Sequence, residues 1–169
     1  MRWPALPWDT TIRRPYRIDG IQGITIGKSV VFQPGVWLFC GKSNDLLGKL
    51  QIGDACSFGY RNHITCVGEV VIGSNVLTAN NVYISDNSHS YENTEIPIIS
   101  QPVKFKKRVE IGSGSWIGEN VSIIAASIGK NSVIGANSVV TSDIPDYSVA
   151  VGAPAKVIKR FNQVTRLWE

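Results

Sequence analysis

The chain has 169 residues, a formal net charge of +4, 43% hydrophobic residues and three cysteines. That length suits a single domain with a sizeable core. The odd cysteine count speaks against a disulfide framework and for a reducing compartment, the cytoplasm. No apolar run reaches the roughly 20 residues of a membrane-spanning helix. The mild charge, without aromatics interleaved among the basic residues, excludes a nucleic-acid partner.

In chain order, residues 1–19 carry Trp3, Pro4, Pro7, Trp8 and the Arg13-Arg14 pair, and lack the apolar stretch of a signal peptide. They read as an irregular N-terminal arm that packs on something. From residue 20 to 153 the sequence follows a beat of six. Five triplets of anchors stand six apart: Ile26/Phe32/Leu38, Ile52/Phe58/Ile64, Ile72/Thr78/Ile84, Ile111/Ile117/Ile123 and Ile128/Ile134/Val140. Only Thr78 is not apolar, and glycine follows eight of the fifteen anchors. Four residues after an anchor comes a small or β-branched residue, among them Val30, Val36, Cys56, Val76, Val82, Ser115, Val121, Ser132 and Ser138.

A fixed short period with one apolar anchor per unit is the signature of a solenoid. Six residues suit a short strand and a tight corner, the anchor pointing inward. Glycine after the anchor allows backbone angles or close approaches that a Cβ would forbid. Three units make a coil of eighteen residues, and stacked coils bury one continuous apolar column with strands pairing in parallel. The triplets begin at 26, 52, 72, 111 and 128, so coils depart from eighteen by +8, +2, +21 and −1. Every departure falls after the third strand of a coil, so all emerge along one edge. The largest is an inserted loop over 86–108. After Pro154, residues 154–169 have helix-compatible composition and are expected to cap the open end as a short C-terminal helix.

Two basic runs stand out: Lys104, Lys106, Lys107 and Arg108, then Lys156, Lys159 and Arg160. Each is a solvated face or a contact for a phosphate-bearing ligand. There are two histidines, His63 and His89. His89 stands where the third coil gives way to the long loop. On residues alone it is a polar surface histidine or a general base, for which its pKa near neutrality is suited.

Three stretches carry a family likeness: Val109-Glu-Ile-Gly-Ser-Gly-Ser-Trp-Ile-Gly118, Ile128-Gly-Lys-Asn-Ser-Val-Ile-Gly-Ala-Asn-Ser-Val-Val-Thr141, and Asp143-Ile-Pro-Asp-Tyr-Ser-Val-Ala-Val-Gly-Ala-Pro-Ala-Lys-Val-Ile158. Over about residues 20 to 160 the chain resembles the hexapeptide-repeat acyltransferases, nearest in flavour to the sugar and capsular-polysaccharide O-acetyltransferases of the maltose, galactoside and nodulation type. The resemblance implies an all-β fold, the left-handed parallel β-helix, whose handedness is an exception to the usual crossover rule. It implies an enzyme that transfers acetyl from acetyl-CoA to a hydroxyl of a sugar or glycan, without metal and without a covalent intermediate.

In relatives the catalytic histidine sits at the mouth of the long loop, and His89 matches it. Asp86 or Glu92 would orient the imidazole or stabilise its charged form, or either is a solvated loop carboxylate. His63 matches an acceptor-contacting position or caps a coil edge; Asn87 and Tyr91 would line the acceptor cleft. For the donor, backbone at Gly118, Glu119 and Ala136 would follow the pantetheine arm, with Thr141, Ser142, Lys156 and Lys159 toward the nucleotide. Ser142 stands where a common variant has lysine, leaving Lys130, Lys156 and Lys159 for the phosphates. Ala125-Ala126, where relatives often have Pro-Gly, would also belong to the donor site. Relatives assemble as homotrimers with active sites between subunits, so Trp37 and Trp116 are expected to pack between subunits. Other occupants of the fold are an antibiotic-modifying acetyltransferase, a serine acetyltransferase (whose helical N-terminal domain is absent), a γ-type carbonic anhydrase, which needs three histidines, and a structural solenoid, which would show threonine arrays.

Overall fold

The computed structural model describes residues 6–43 and 46–169. The chain visits three parallel sheets in turn, once per coil, and each visit adds a strand beside that of the previous coil. The first face carries Ile24–Ile26, Lys49–Ile52, Glu69–Ile72 and Val109–Ile111, continued by bridges at Ile128 and Ile144. The second carries Val31–Phe32, Ser57–Phe58, Leu77–Thr78, Trp116–Ile117, Val133–Ile134 and Ser148–Val151. The third carries Trp37–Cys40, His63–Cys66, Tyr83–Ser85, Ser122–Ile124 and Val139–Val140.

Register is set by the anchors. Ile26, Ile52, Ile72, Ile111 and Ile128 stack on the first face; Phe32, Phe58, Thr78, Ile117 and Ile134 on the second; Leu38, Ile64, Ile84, Ile123 and Val140 on the third. All fifteen are at most 4% exposed, and each large apolar side chain so buried is worth about 1.5–3 kcal/mol. The one polar anchor is satisfied: buried Asn62 donates to Thr78 Oγ1 at 2.6 Å and accepts from the Val82 N–H at 2.7 Å. The small residues four after the anchors form a second buried file, in which Ser115, Ser132 and Ser138 hydrogen-bond to backbone of adjoining turns.

The corners show what the glycines do. Left-handed backbone falls three residues after the anchor, at Ser29, Ala55, Asn75, Asn131 and Tyr147 on one corner and at Arg61, Asn81, Asn120 and Asn137 on the next. The glycine directly after the anchor serves close approach instead: a Cβ on Gly112 would stand 2.3 Å from the Lys130 amide nitrogen of the next coil. Glycine follows every first-face anchor and no third-face anchor. From the third face the chain runs on into excursions. Lys42–Ser43 pairs antiparallel with Leu46–Leu47, and Asn87–His89 pairs antiparallel with Val103–Phe105.

The ends differ from the sequence reading. Of the N-terminal arm, Trp3 and Pro4 lie outside the described residues. Thr11–Ile12 and Arg17–Asp19 pair in parallel with Val31–Phe32 and Trp37–Phe39, so half the arm is a leading partial coil. The expected C-terminal helix is a β-hairpin. Lys156–Asn162 pairs antiparallel with Ser148–Val151, and Leu167–Trp168 folds back on Phe161–Asn162. The last coil leaves a row of unpaired backbone groups, and a strand satisfies them as a helix would not. Among the described residues there is no α-helix, and none long and apolar enough to cross a membrane.

Candidate active site

His89 closes the strand Asn87–His89 at the root of the long excursion. Its side chain is exposed, and it lies opposite Val103 in the antiparallel ribbon. The ribbon is fixed by Asp86, whose carboxylate is completely buried. It accepts from the Val67 N–H at 3.0 Å, the Gly68 N–H at 2.7 Å and the Asn87 side-chain amide at 2.8 Å. Its carbonyl accepts from Lys106 N–H at 2.8 Å. Hydrogen bonds to a charged acceptor are stronger than neutral ones, so Asp86 pins the excursion to the neighbouring coil. Asn87 completes the tie by donating to Thr65 Oγ1 at 3.3 Å. Both residues thus hold the root of the excursion against the neighbouring coil.

Among the described residues no hydrogen bond joins the His89 ring to Asp86 or Glu92. Glu92 accepts from the Tyr91 N–H at 3.1 Å and from Lys104 at 3.3 Å, with Lys106 at 3.9 Å. Its own and the Tyr91 backbone N–H groups, with the Lys104 ammonium, hold its carboxyl below the usual range. The Lys106 ammonium stands 5.7 Å from the centre of the exposed Tyr91 ring. His89, Tyr91, Glu92, Lys104 and Lys106 therefore share one ribbon. The whole basic run proves paired: Lys107 contacts Asp143 at 2.6 Å, and Arg108 reaches Glu69 at 2.7 Å and also Glu110. The Lys107 contact and the Ser127 N–H draw the Asp143 carboxyl below its ordinary pKa. The Lys107–Asp143 and Arg108–Glu69 pairs escaped the sequence reading because their members lie 36 and 39 residues apart.

His63 is elsewhere. It lies on the outward side of the third face, half-buried between Trp37, stacked at 4.1 Å and 4°, and Tyr83 at 5.2 Å. Burial pushes its pKa down. Trp37 is thus stacked within the chain and donates to Asp19 at 3.3 Å, whereas Trp116 is half-exposed on the second face.

The donor candidates fall on two separate edges. Gly118, Glu119 and Ala136 occupy the corner after the second face; Ala125, Ala126, Thr141 and Ser142 occupy the edge after the third. Gly118 is covered by the next coil, Ala126 is buried, and Glu119 accepts from the Asn80 N–H and the Asn81 amide. Ala136, Thr141, Ser142, Lys156 and Lys159 are exposed. Lys130 lies 3.9 Å from Asp146. Among the described residues no three His, Cys, Asp or Glu side chains are grouped to hold a metal ion.

Residues 108–142 match the family model for the bacterial transferase hexapeptide, six repeats. The chain is 40% identical over 129 residues to a probable acetyltransferase of Mycobacterium tuberculosis, covering 74% of this chain and 43% of that protein. It is 40% identical over 114 residues to a putative lipopolysaccharide biosynthesis O-acetyl transferase of Escherichia coli, covering 63% of this chain and 58% of the relative. The chain thus spans about half the length of these curated relatives. Among solved structures, galactoside acetyltransferase in complex with coenzyme A superposes with a TM-score of 0.61 at 28% identity, over 92% of this chain and 66% of that one.

Proposed function

This chain belongs to the hexapeptide-repeat transferases, and from that premise we propose that it is an O-acetyltransferase moving an acetyl group from acetyl-CoA to a hydroxyl of a sugar or glycan. The observation that carries the reading is His89, exposed at the root of an excursion that Asp86 fixes to the coils. A ring nitrogen of His89 takes the proton of the acceptor hydroxyl as its oxygen attacks the thioester carbonyl. The tetrahedral intermediate collapses, the carbon–sulfur bond breaks, and the imidazolium passes its proton to the sulfur, so CoA leaves as the thiol. General-base catalysis of this kind contributes about 10²–10⁴-fold.

The coils form a left-handed parallel β-helix, the fold of the family, and the working unit is a homotrimer. Two features support the trimer. The donor candidates sit on two edges of one chain, so one ligand reaches both sets only across a junction between copies. The excursion also exposes Ile96, Ile98 and Ile99 at 43%, 54% and 89%, and Trp116 on the second face is an exposed aromatic suited to an interface. Acetyl-CoA fits such a groove: Ala136 presents backbone at a corner narrowed by glycine, and exposed Lys156 and Lys159 offer charge to its phosphates. Three buried free cysteines support a cytoplasmic location.

The test is release of CoA thiol by the purified chain with acetyl-CoA and a panel of sugars, with and without EDTA. Thiol release that depends on a sugar and ignores EDTA is the expected result. Activity lost in EDTA and restored by zinc, or no release with any acceptor, would overturn the reading.

A further inference from the structure

The two excursions leave the same edge, and a cleft of about 830 Å³ opens between them. That volume falls within the range of small-molecule sites. Its lining includes Leu46 and Leu47 of the first excursion, Val103 and Phe105 of the second, and the charged Lys49, Glu69 and Lys104. Phe105 packs directly on Gly68, where a Cβ would stand 2.1 Å from the ring. Lys49 is exposed and has no carboxylate in ion-pair range among the described residues. The neighbouring Glu69 is already neutralised by Arg108 at 2.7 Å, and Lys104 is engaged by Glu92. Among the described residues, Lys49 is thus the cation of the lining without an ion pair, beside the apolar Leu46, Leu47, Val67, Val103 and Phe105.

We propose that this cleft is the outer part of the acceptor site, and that the acceptor is a sugar joined through a phosphate to an aliphatic chain. This rests on the acetyltransferase reading above. Val103 on the cleft wall pairs with His89, and neighbouring strands are about 4.8 Å apart. The cleft thus begins one strand away from the base. In this arrangement the sugar hydroxyl lies at His89, the phosphate at Lys49 and the chain along Leu46, Leu47 and Val103. Binding energy from such a remote group is available to position the reacting hydroxyl.

The probe is n-octyl phosphate, titrated by NMR into the intact chain without acetyl-CoA. Binding is expected, weakened at least about fivefold by either Lys49→Gln or Leu46→Ser. Both residues are exposed, so both variants should melt like the parent. In turnover, the same variants should raise KM for an octyl-phosphoryl sugar by a similar factor and leave KM for acetyl-CoA unchanged. No binding of octyl phosphate, or binding indifferent to both substitutions, overturns the proposal. Binding of thymidine diphosphate in the cleft where octyl phosphate does not bind overturns the aliphatic assignment. Octyl phosphate binding without any acetyl transfer would sink the catalytic reading while leaving the cleft. Transfer to free sugars without octyl phosphate binding would do the reverse.

Discussion

Two of the three turns in each coil are built alike throughout the stack, and the third is different every time. At the two regular corners a buried anchor, a left-handed residue three positions on, and glycine where the next coil presses close recur with little change. At the third edge the chain makes a short hairpin after one coil, a long ribbon after another, and almost nothing after the last. The regular corners hold one coil on the next. The irregular edge is free of that duty, and it holds the buried carboxylate, the candidate base and the ion-paired lysines.

If that division is right, the regular corners should be the least forgiving places in the molecule. Gly112→Ala sets a methyl 2.3 Å from one backbone nitrogen and 2.5 Å from a backbone carbon. Neither atom moves without shifting a coil, so a loss of about 3 kcal/mol or more is expected. At Gly135 the added methyl meets first a Val151 side-chain carbon at 2.7 Å, which yields more readily, and about 1 kcal/mol is expected. Urea denaturation of both variants measures the difference. Equal, small losses would mean that corner packing is not what secures the stack.

The irregular edge should answer in the opposite sense. His89→Ala is expected to lower turnover about 10²-fold or more while leaving the melting temperature and acetyl-CoA affinity nearly unchanged. Near-parental turnover would remove His89 from the chemistry.

Asp86 joins the two regions, since it belongs to the irregular edge and bonds to the backbone of the preceding coil. Asp86→Asn keeps the shape but turns an amide toward two N–H donors. A loss of about 2 kcal/mol is expected, with KM for the acceptor raised more than KM for acetyl-CoA. Unchanged stability would show that the excursion is held by other contacts.

What could be read from the sequence follows the same division. The anchors were legible because the inward direction of a periodic residue is set by its own strand and corner, and stacking then buries it; even Thr78 keeps its place. The edge bearing the excursions was legible from spacing, and the lack of glycine after Leu38, Ile64, Ile84, Ile123 and Val140 marks it independently. The partners of the excursion were not. Asp86 bonds to residues 18 and 19 positions away, and Arg108 to Glu69 across 39. No local pattern encodes such pairings. The C-terminal hairpin was missed for a related reason. Lys156–Asn162 takes strand form because an open sheet edge lies beside it, a circumstance of the tertiary structure. The division of donor candidates between two edges emerged only once each coil was assigned to its faces.

The smallest expected effect tests whether the regular region is electrostatically silent. His63 is the exception, an imidazole half-buried between Trp37 and Tyr83 with its pKa pushed down by burial. The unfolded chain binds a proton near pH 6.5, whereas the folded chain resists it to lower pH. Between those two values the unfolded state holds more protons, so stability rises with pH there. The contribution of the neutral ring is therefore complete above about pH 6.5, falls as pH drops through the window, and levels off below the folded pKa. Replacing His63 by phenylalanine keeps an aromatic ring against Trp37 and removes the titration. The parent should lose more stability than the variant between pH 7.5 and pH 5, a range above that in which Asp143 or Glu92, with depressed pKa values, take up protons. Urea midpoints at the two pH values decide it. Identical pH slopes for parent and variant would mean that the ring is protonated as readily in the stack as in the unfolded chain, leaving the regular faces without a group whose titration is coupled to folding.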